Sequence, residues 1–182
     1  ISAGLYDAAE ATSRSLLSLS PDRPGARGRL AVALLLEGDA AGALVEARQL
    51  DDFRKPLAES MAYHALGRKA ESDAALAELT VLQPDERPTY DIASVHAFRG
   101  EADQAFLWLE LAAEESGGNL PTVMLDPLFE NLHEDPRWLQ FLRSVGKAPE
   151  DLAKIRFHVP MSQASTDNHQ SAPAALTPTS PQ

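Results

Sequence analysis

Five histidines, His64, His96, His133, His158 and His169, are the side chains here best suited to proton transfer or metal ligation near neutral pH. His64 and His96 stand three and four residues ahead of Gly67 and Gly100, so stacked helices could bring them together. A metal wants three or four ligands with carboxylates behind them, and no histidine stands four residues from another. The spacing favours histidines that pack or face a groove. His133, beside Glu134 and Asp135, reads as a solvated turn residue. The carboxylate pairs Asp51-Asp52, Glu114-Glu115 and Glu134-Asp135 are adjacent in sequence. Neighbours on a helix point apart, which makes them poor acid/base dyads. Ser13, Ser15, Ser18 and Ser20 lack the glycine pattern of a nucleophile elbow. Ser116-Gly117-Gly118-Asn119 has no preceding strand and no following lysine, so it reads as a helix break rather than a phosphate loop. No catalytic constellation, metal set or cofactor motif emerges. The chemistry expected is that of recognition.

The 182 residues, 44% apolar and 24% charged, are enough for one domain with a sizeable core. Aromatics make up 6%, while Ala and Leu abound, which favours helices over strands. A formal charge of −11 argues against nucleic acid or an anionic membrane surface as a direct partner. No apolar run approaches the roughly 20 residues needed to insert in a bilayer. The absence of cysteine excludes disulfides and thiolate metal sites, and suits a reducing compartment. The cytoplasm is favoured, or the soluble part of a membrane-tethered protein. The chain opens on Ile1 within a helical pattern and is expected to be a piece of something longer, with an upstream effector domain a possibility.

The organising stretch is Tyr90 to Glu115, where one apolar-periodic run ends at Gly100 and a stronger one begins within two residues. A glycine inside a helix costs about 1 kcal/mol relative to Ala, so two antiparallel helices folded at Gly100 are expected. Gly4, Gly38, Gly67 and Gly100 recur at spacings of 34, 29 and 33 residues. Five residues after them stand Ala9, Ala43, Ser72 and Ala105, and twelve after stand Leu16, Leu50, Leu79 and Ala112. Pro21 and Pro84 close two units, and Pro56 falls one residue late. Helices are expected over 4–19, 24–36, 40–50, 54–66, 69–82, 87–99 and 102–115. Two short ones should follow at 127–132 and 136–145, each entered by Asp-Pro, with a last over 149–157.

These glycine, small, leucine and proline positions, in register over residues 1–118, resemble the tetratricopeptide (TPR) family of helix-turn-helix repeats. A second small position, Ala31, Ser60 and Ala93, fits the same pattern. Arg27, Pro56 and Thr89 depart from it, standing where a large aromatic often starts the first helix. The resemblance implies an all-α fold, a right-handed superhelical solenoid of antiparallel helix pairs, its first repeat truncated. Residues 119–157 would form a C-terminal helical cap covering the last unit. The sequences DPLF, LHEDPRW and FLRSVG in it resemble the closing segment after TPR arrays in bacterial signalling proteins with a winged-helix or nucleotide-cyclase domain. Residues 158–182, rich in Ser, Thr, Pro and Gln, form a tail expected to be disordered.

The function implied is a non-enzymatic scaffold binding a protein or peptide; the alternative is the regulatory C-terminal region of a larger regulator or cyclase. Family positions place Val32, Leu35, Arg54, Leu57, Met61, His64, Arg87, Tyr90 and Ala97 on the concave groove. Gly28, Val32 and Ala58 replace the polar clamp of chaperone-tail binders, so that ligand is not expected. Arg54 and Arg87 would instead suit a peptide with apolar anchors and an acidic group.

Overall fold

A computed structural model of the chain describes residues 3–21, 23–82 and 88–154, whose regular secondary structure is helical, without a strand. The helices are α1 (Ala3–Leu19), α2 (Pro24–Leu36), α3 (Ala40–Ala47), α4 (Arg54–Ala65), α5 (Lys69–Thr80), α6 (Thr89–Phe98) and α7 (Ala102–Glu115). A 3-10 helix (Pro127–Leu132), α8 (Pro136–Ser144) and α9 (Pro149–Leu152) follow. Residues 24–36 and 102–115 keep the bounds expected from sequence, whereas α3 stops three residues early and α5 two. The 127–132 segment is 3-10 rather than α. It is only six residues long, and Asp126 caps it by accepting from Leu128 N at 3.1 Å. Of the helix expected over 149–157, the described part is Pro149–Leu152 with a turn to Lys154; the tail from residue 158 lies outside the described residues.

Three of the helix pairs are joined by one repeated turn. Gly38, Gly67 and Gly100 have φ of 88°, 71° and 74°, the left-handed region that glycine enters without penalty. Each glycine N–H donates to the carbonyl three residues back, and the next N–H to the carbonyl five residues back. In the Gly100 turn these bonds are Gly100 N to Ala97 O, 2.8 Å, and Glu101 N to His96 O, 2.9 Å. This is the Schellman closure of a helix end. The residue after the glycine, Asp39, Arg68 or Glu101, is already the N-cap of the next helix. With so short a link the next helix must fold back on the last.

Small residues let the folded-back helices approach. Ala31 and Ala43, Ser60 and Ser72, and Ala93 and Ala105 occupy matching places in the three pairs, and all six are 0% exposed. In the middle pair the approach is close enough for Ser72 Oγ to donate to Ser60 O at 2.7 Å and Ser60 Oγ to Ser72 O at 3.0 Å. Two buried hydroxyls are thereby satisfied without water. Beyond each pair, α2 packs on α4 and α4 on α6, so the first helices form an inner row. Arg99, its side chain 4% exposed, ties α5 to the α6–α7 turn. It bonds Glu101 Oε1 at 2.8 Å, Ser72 Oγ at 3.2 Å and the Asp73 carboxylate.

The closing segment seals the far end. Phe129, Leu132, Trp138, Phe141 and Leu142 share one buried cluster with Phe106, Leu109 and Ala112. Trp138 is 7% exposed, with Phe129 and Phe141 at centroid distances of 6.2 and 6.1 Å.

Two stability measurements check these arguments. Gly100→Ala meets no heavy atom within 4 Å, so only its backbone angle opposes it. Urea unfolding should show a loss of about 1–2 kcal/mol, the cost of left-handed backbone for an L-residue. Trp138→Ala should cost about 3–5 kcal/mol by the same measurement. A change below about 0.5 kcal/mol would mean that the ring seals nothing.

Candidate functional site

The inner row of helices presents a trough of about 720 Å³. Gly25, Gly28, Arg29, Val32 and Leu36 line it from α2, a single stripe at helical spacing. Arg54, Leu57, Ala58 and Met61 form the equivalent stripe of α4, and Asp91 and Ser94 that of α6. Tyr6 and Ala9 of α1 close one side, and Leu125 to Leu128 close the other. Those last four residues come from the closing segment, which turns back so that its 3-10 helix packs on α6. Leu125, 85% exposed, stands at the lip.

Four of the residues read from sequence, Val32, Arg54, Leu57 and Met61, meet on this trough. Leu35 is 5% exposed in the core, because it lies about a third of a turn from the Val32–Leu36 stripe. Ala97 is fully buried under the closing segment, its carbonyl accepting from Asn131 Nδ2 at 2.5 Å. Tyr90 sits behind the wall, its ring against Phe129 at 5.4 Å and its hydroxyl donating to Asp126 Oδ2 at 3.0 Å. His64 is solvent-exposed near the end of α4, edge-on to Phe98 at 6.3 Å, while His96 is buried with Nδ1 2.6 Å from Glu101 Oε2. The two histidines are thus held by different partners. Arg87 lies outside the described residues.

Sequence reading missed Arg29, Leu36, Phe53, Asp91 and Ser94, although extending the stripes of α2 and α6 by single helical turns finds all but Phe53. It had no means of finding Leu125 to Leu128. Their place depends on how the closing segment folds back across some thirty residues of intervening chain.

The electrostatics of the trough are uneven. Arg54 is held by the Asp52 carboxylate, which also accepts from the Arg54 backbone N–H at 2.9 Å. Its guanidinium stacks on Phe53 at 4.8 Å, and its stem leans on Gly28, where a Cβ would stand 3.1 Å from Arg54 Cδ. Asp126 accepts from Leu128 N and from the Tyr90 hydroxyl. Burial, and then the Asp126 charge, push the Tyr90 phenol above its ordinary value, so it remains a proton donor. Burial first and Asp126 second also lift the Asp91 carboxyl to about 6, with Arg54 pulling the other way. Elsewhere, burial pushes the His96 imidazole below its ordinary value against the opposing pull of Glu101. Among the described residues no group of three or more His, Cys, Asp or Glu is placed to hold a metal ion. A second hollow, bounded by Phe98, Glu130, Asn131, His133 and Glu134, is more polar.

No family model, curated protein or solved structure matches the chain.

The Asp91 shift has a measurable consequence for stability. Its folded value, about 6, lies above the ordinary 3.8, so the folded protein prefers the protonated acid. That preference is fully present below about pH 4 and is lost as pH rises through about 6. At neutral pH the ionised carboxylate is therefore a cost. Asp91→Asn should raise stability there by about 1–2 kcal/mol, after allowance for solvent screening of a partly exposed group. The gain should vanish below about pH 4, as chemical unfolding at the two pH values will show.

Proposed function

We propose that the chain is a TPR-like solenoid whose trough binds a peptide segment of a protein partner, without catalysis. The single observation that carries this reading is the half-open, mostly apolar hollow built by successive first helices and closed by the terminal segment. Its volume falls within the roughly 300–1,000 Å³ of sites that accept a ligand. A trough lined by Val32, Leu36, Leu57, Met61 and Leu128 suits apolar side chains arriving from one strand or helix. The repeated glycine turns and paired small residues support the solenoid part of the reading, with right-handed stacking of the pairs. The non-enzymatic part is supported by two of the trough's polar groups. Ser94 Oγ donates to its own helix at Asp91 O, 2.7 Å, and Asp126 is occupied in capping and bracing.

Selection from a displayed random peptide library tests the trough as a surface. Val32 and Leu36 are only half-buried, so Val32→Gln with Leu36→Gln should leave the chain folded. Selected peptides should bind this double variant about tenfold or more weakly, as expected when apolar contacts at an interface centre are lost. Peptides that bind parent and variant alike would place recognition elsewhere on the molecule.

A further inference from the structure

Of the four charged residues on the trough wall, two are satisfied within the chain. Arg54 is paired with Asp52, and both oxygens of Asp126 accept hydrogen bonds. Arg29 is an exposed rim residue, and charge there is screened by water and salt. Asp91 differs from all of these. It is partly buried in the wall beside a second carboxylate, and among the described residues no hydrogen bond or ion pair reaches its side chain. Among the described residues, the charge left without a hydrogen-bonded or ion-paired partner in the recessed part of the trough is negative. A carboxylate so placed loses hydration and meets like charge, and one arriving cation relieves both.

We infer that the trough selects a peptide carrying a lysine or arginine among apolar residues, its cation reaching Asp91 beside Asp126 while its apolar side chains lie on Val32, Leu57 and Met61. This rests on the proposed reading that the trough is the binding surface, and it reverses the charge of partner expected from Arg54 and Arg87, of which Arg87 lies outside the described residues. An acidic peptide would meet Asp91 and Asp126 in the trough, and the arginine that faces them, Arg54, is already paired with Asp52. A metal ion is a poor alternative, because two carboxylates leave most of its coordination unfilled. The cation holds Asp91 in its ionised form, so binding displaces a proton to solvent wherever Asp91 was protonated. The groups facing Asp91 are Asp126 from the closing segment and Arg54 from α4, and neither is required to change state.

The probe is a set of acetylated, amidated Leu/Ala-rich peptides with one position occupied by Lys, Arg, Gln or Glu. They are titrated into the intact chain, into Asp91→Asn and into the paired Val32→Gln, Leu36→Gln variant. Lys and Arg peptides should bind the parent about tenfold more tightly than the Gln peptide, a difference of about 1.4 kcal/mol. Asp91→Asn should abolish that preference while remaining folded by thermal unfolding and retaining the Gln peptide. Parent affinity for the Lys peptide should fall between about pH 7 and about pH 5, and that of Asp91→Asn should not. Equal binding of the Lys and Gln peptides, both lost in the paired variant, would keep the trough and overturn the cation. A preference for the Glu peptide would overturn it too. Binding indifferent to the paired variant would remove both readings. Binding that emerges only after deletion of residues 155–182 would make the chain's own C-terminal segment the occupant and overturn an outside peptide.

Discussion

The close approach of helices at three pairs of small residues is the constraint on which the rest of the structure depends. Ala31 with Ala43, Ser60 with Ser72 and Ala93 with Ala105 have no exposed surface at all. A larger side chain at any of them would push two backbones apart in an interior that is already close-packed. Because each pair is also fastened by a left-handed glycine two residues before the second helix, separation cannot be absorbed by a flexible loop. Close approach within pairs leaves the larger residues, such as Leu30, Leu34, Leu57 and Ile92, to fill the space between pairs. The inner row, and the trough along it, are consequences of that division of sizes.

The closing segment has two roles that are physically distinct. Its aromatic side, with Phe129, Trp138 and Phe141, removes from water the apolar face that α6 and α7 would otherwise expose. Its leading turn, Leu125 to Leu128, is displaced along the inner side and becomes a wall of the trough. The link between the roles is Asp126. It caps the 3-10 helix through Leu128 N and receives the Tyr90 hydroxyl from α6, so the same carboxylate that starts the seal also fixes the wall. The seal and the trough therefore share a part, and a change that loosens the first will reshape the second.

Much of the helix map was legible because its signals are local. Glycine spacing, Asp-Pro entries and the small positions each act within a few residues, and they place α2 and α7 to the residue. Which face of each helix looks into the trough was legible only in part. A pattern of apolar residues locates a stripe to within a residue, and Leu35 and Leu36 fall on opposite sides of that uncertainty. Arg54 lines the trough, but its charge is answered by Asp52, two residues away, through a turn geometry that spacing does not specify. The place of Leu125 to Leu128 is set by tertiary packing of the aromatic cluster, for which no local signal exists. The two histidines that looked equivalent by count sit in different environments, since Glu101 follows the turn in one unit and Arg68 in the other.

The contrast between Arg99 and Asp91 separates what holds this fold from what it can recognise. A buried charge is tolerable when geometry answers it fully, and Arg99 is answered by Glu101, Asp73 and Ser72. That network bridges α5 to the α6–α7 turn, and its groups are spent on each other. Asp91 is partly buried on the same helix as His96 and directly follows Tyr90, yet among the described residues its carboxylate has no such answer. An unanswered acid is a local instability, and nothing in the packing of α6 requires it, since an amide of the same shape would fill the space. The cost is borne where the inner helices leave the trough open. Charge that is expensive to the fold and open to an incoming group is how a surface comes to prefer one class of partner over another.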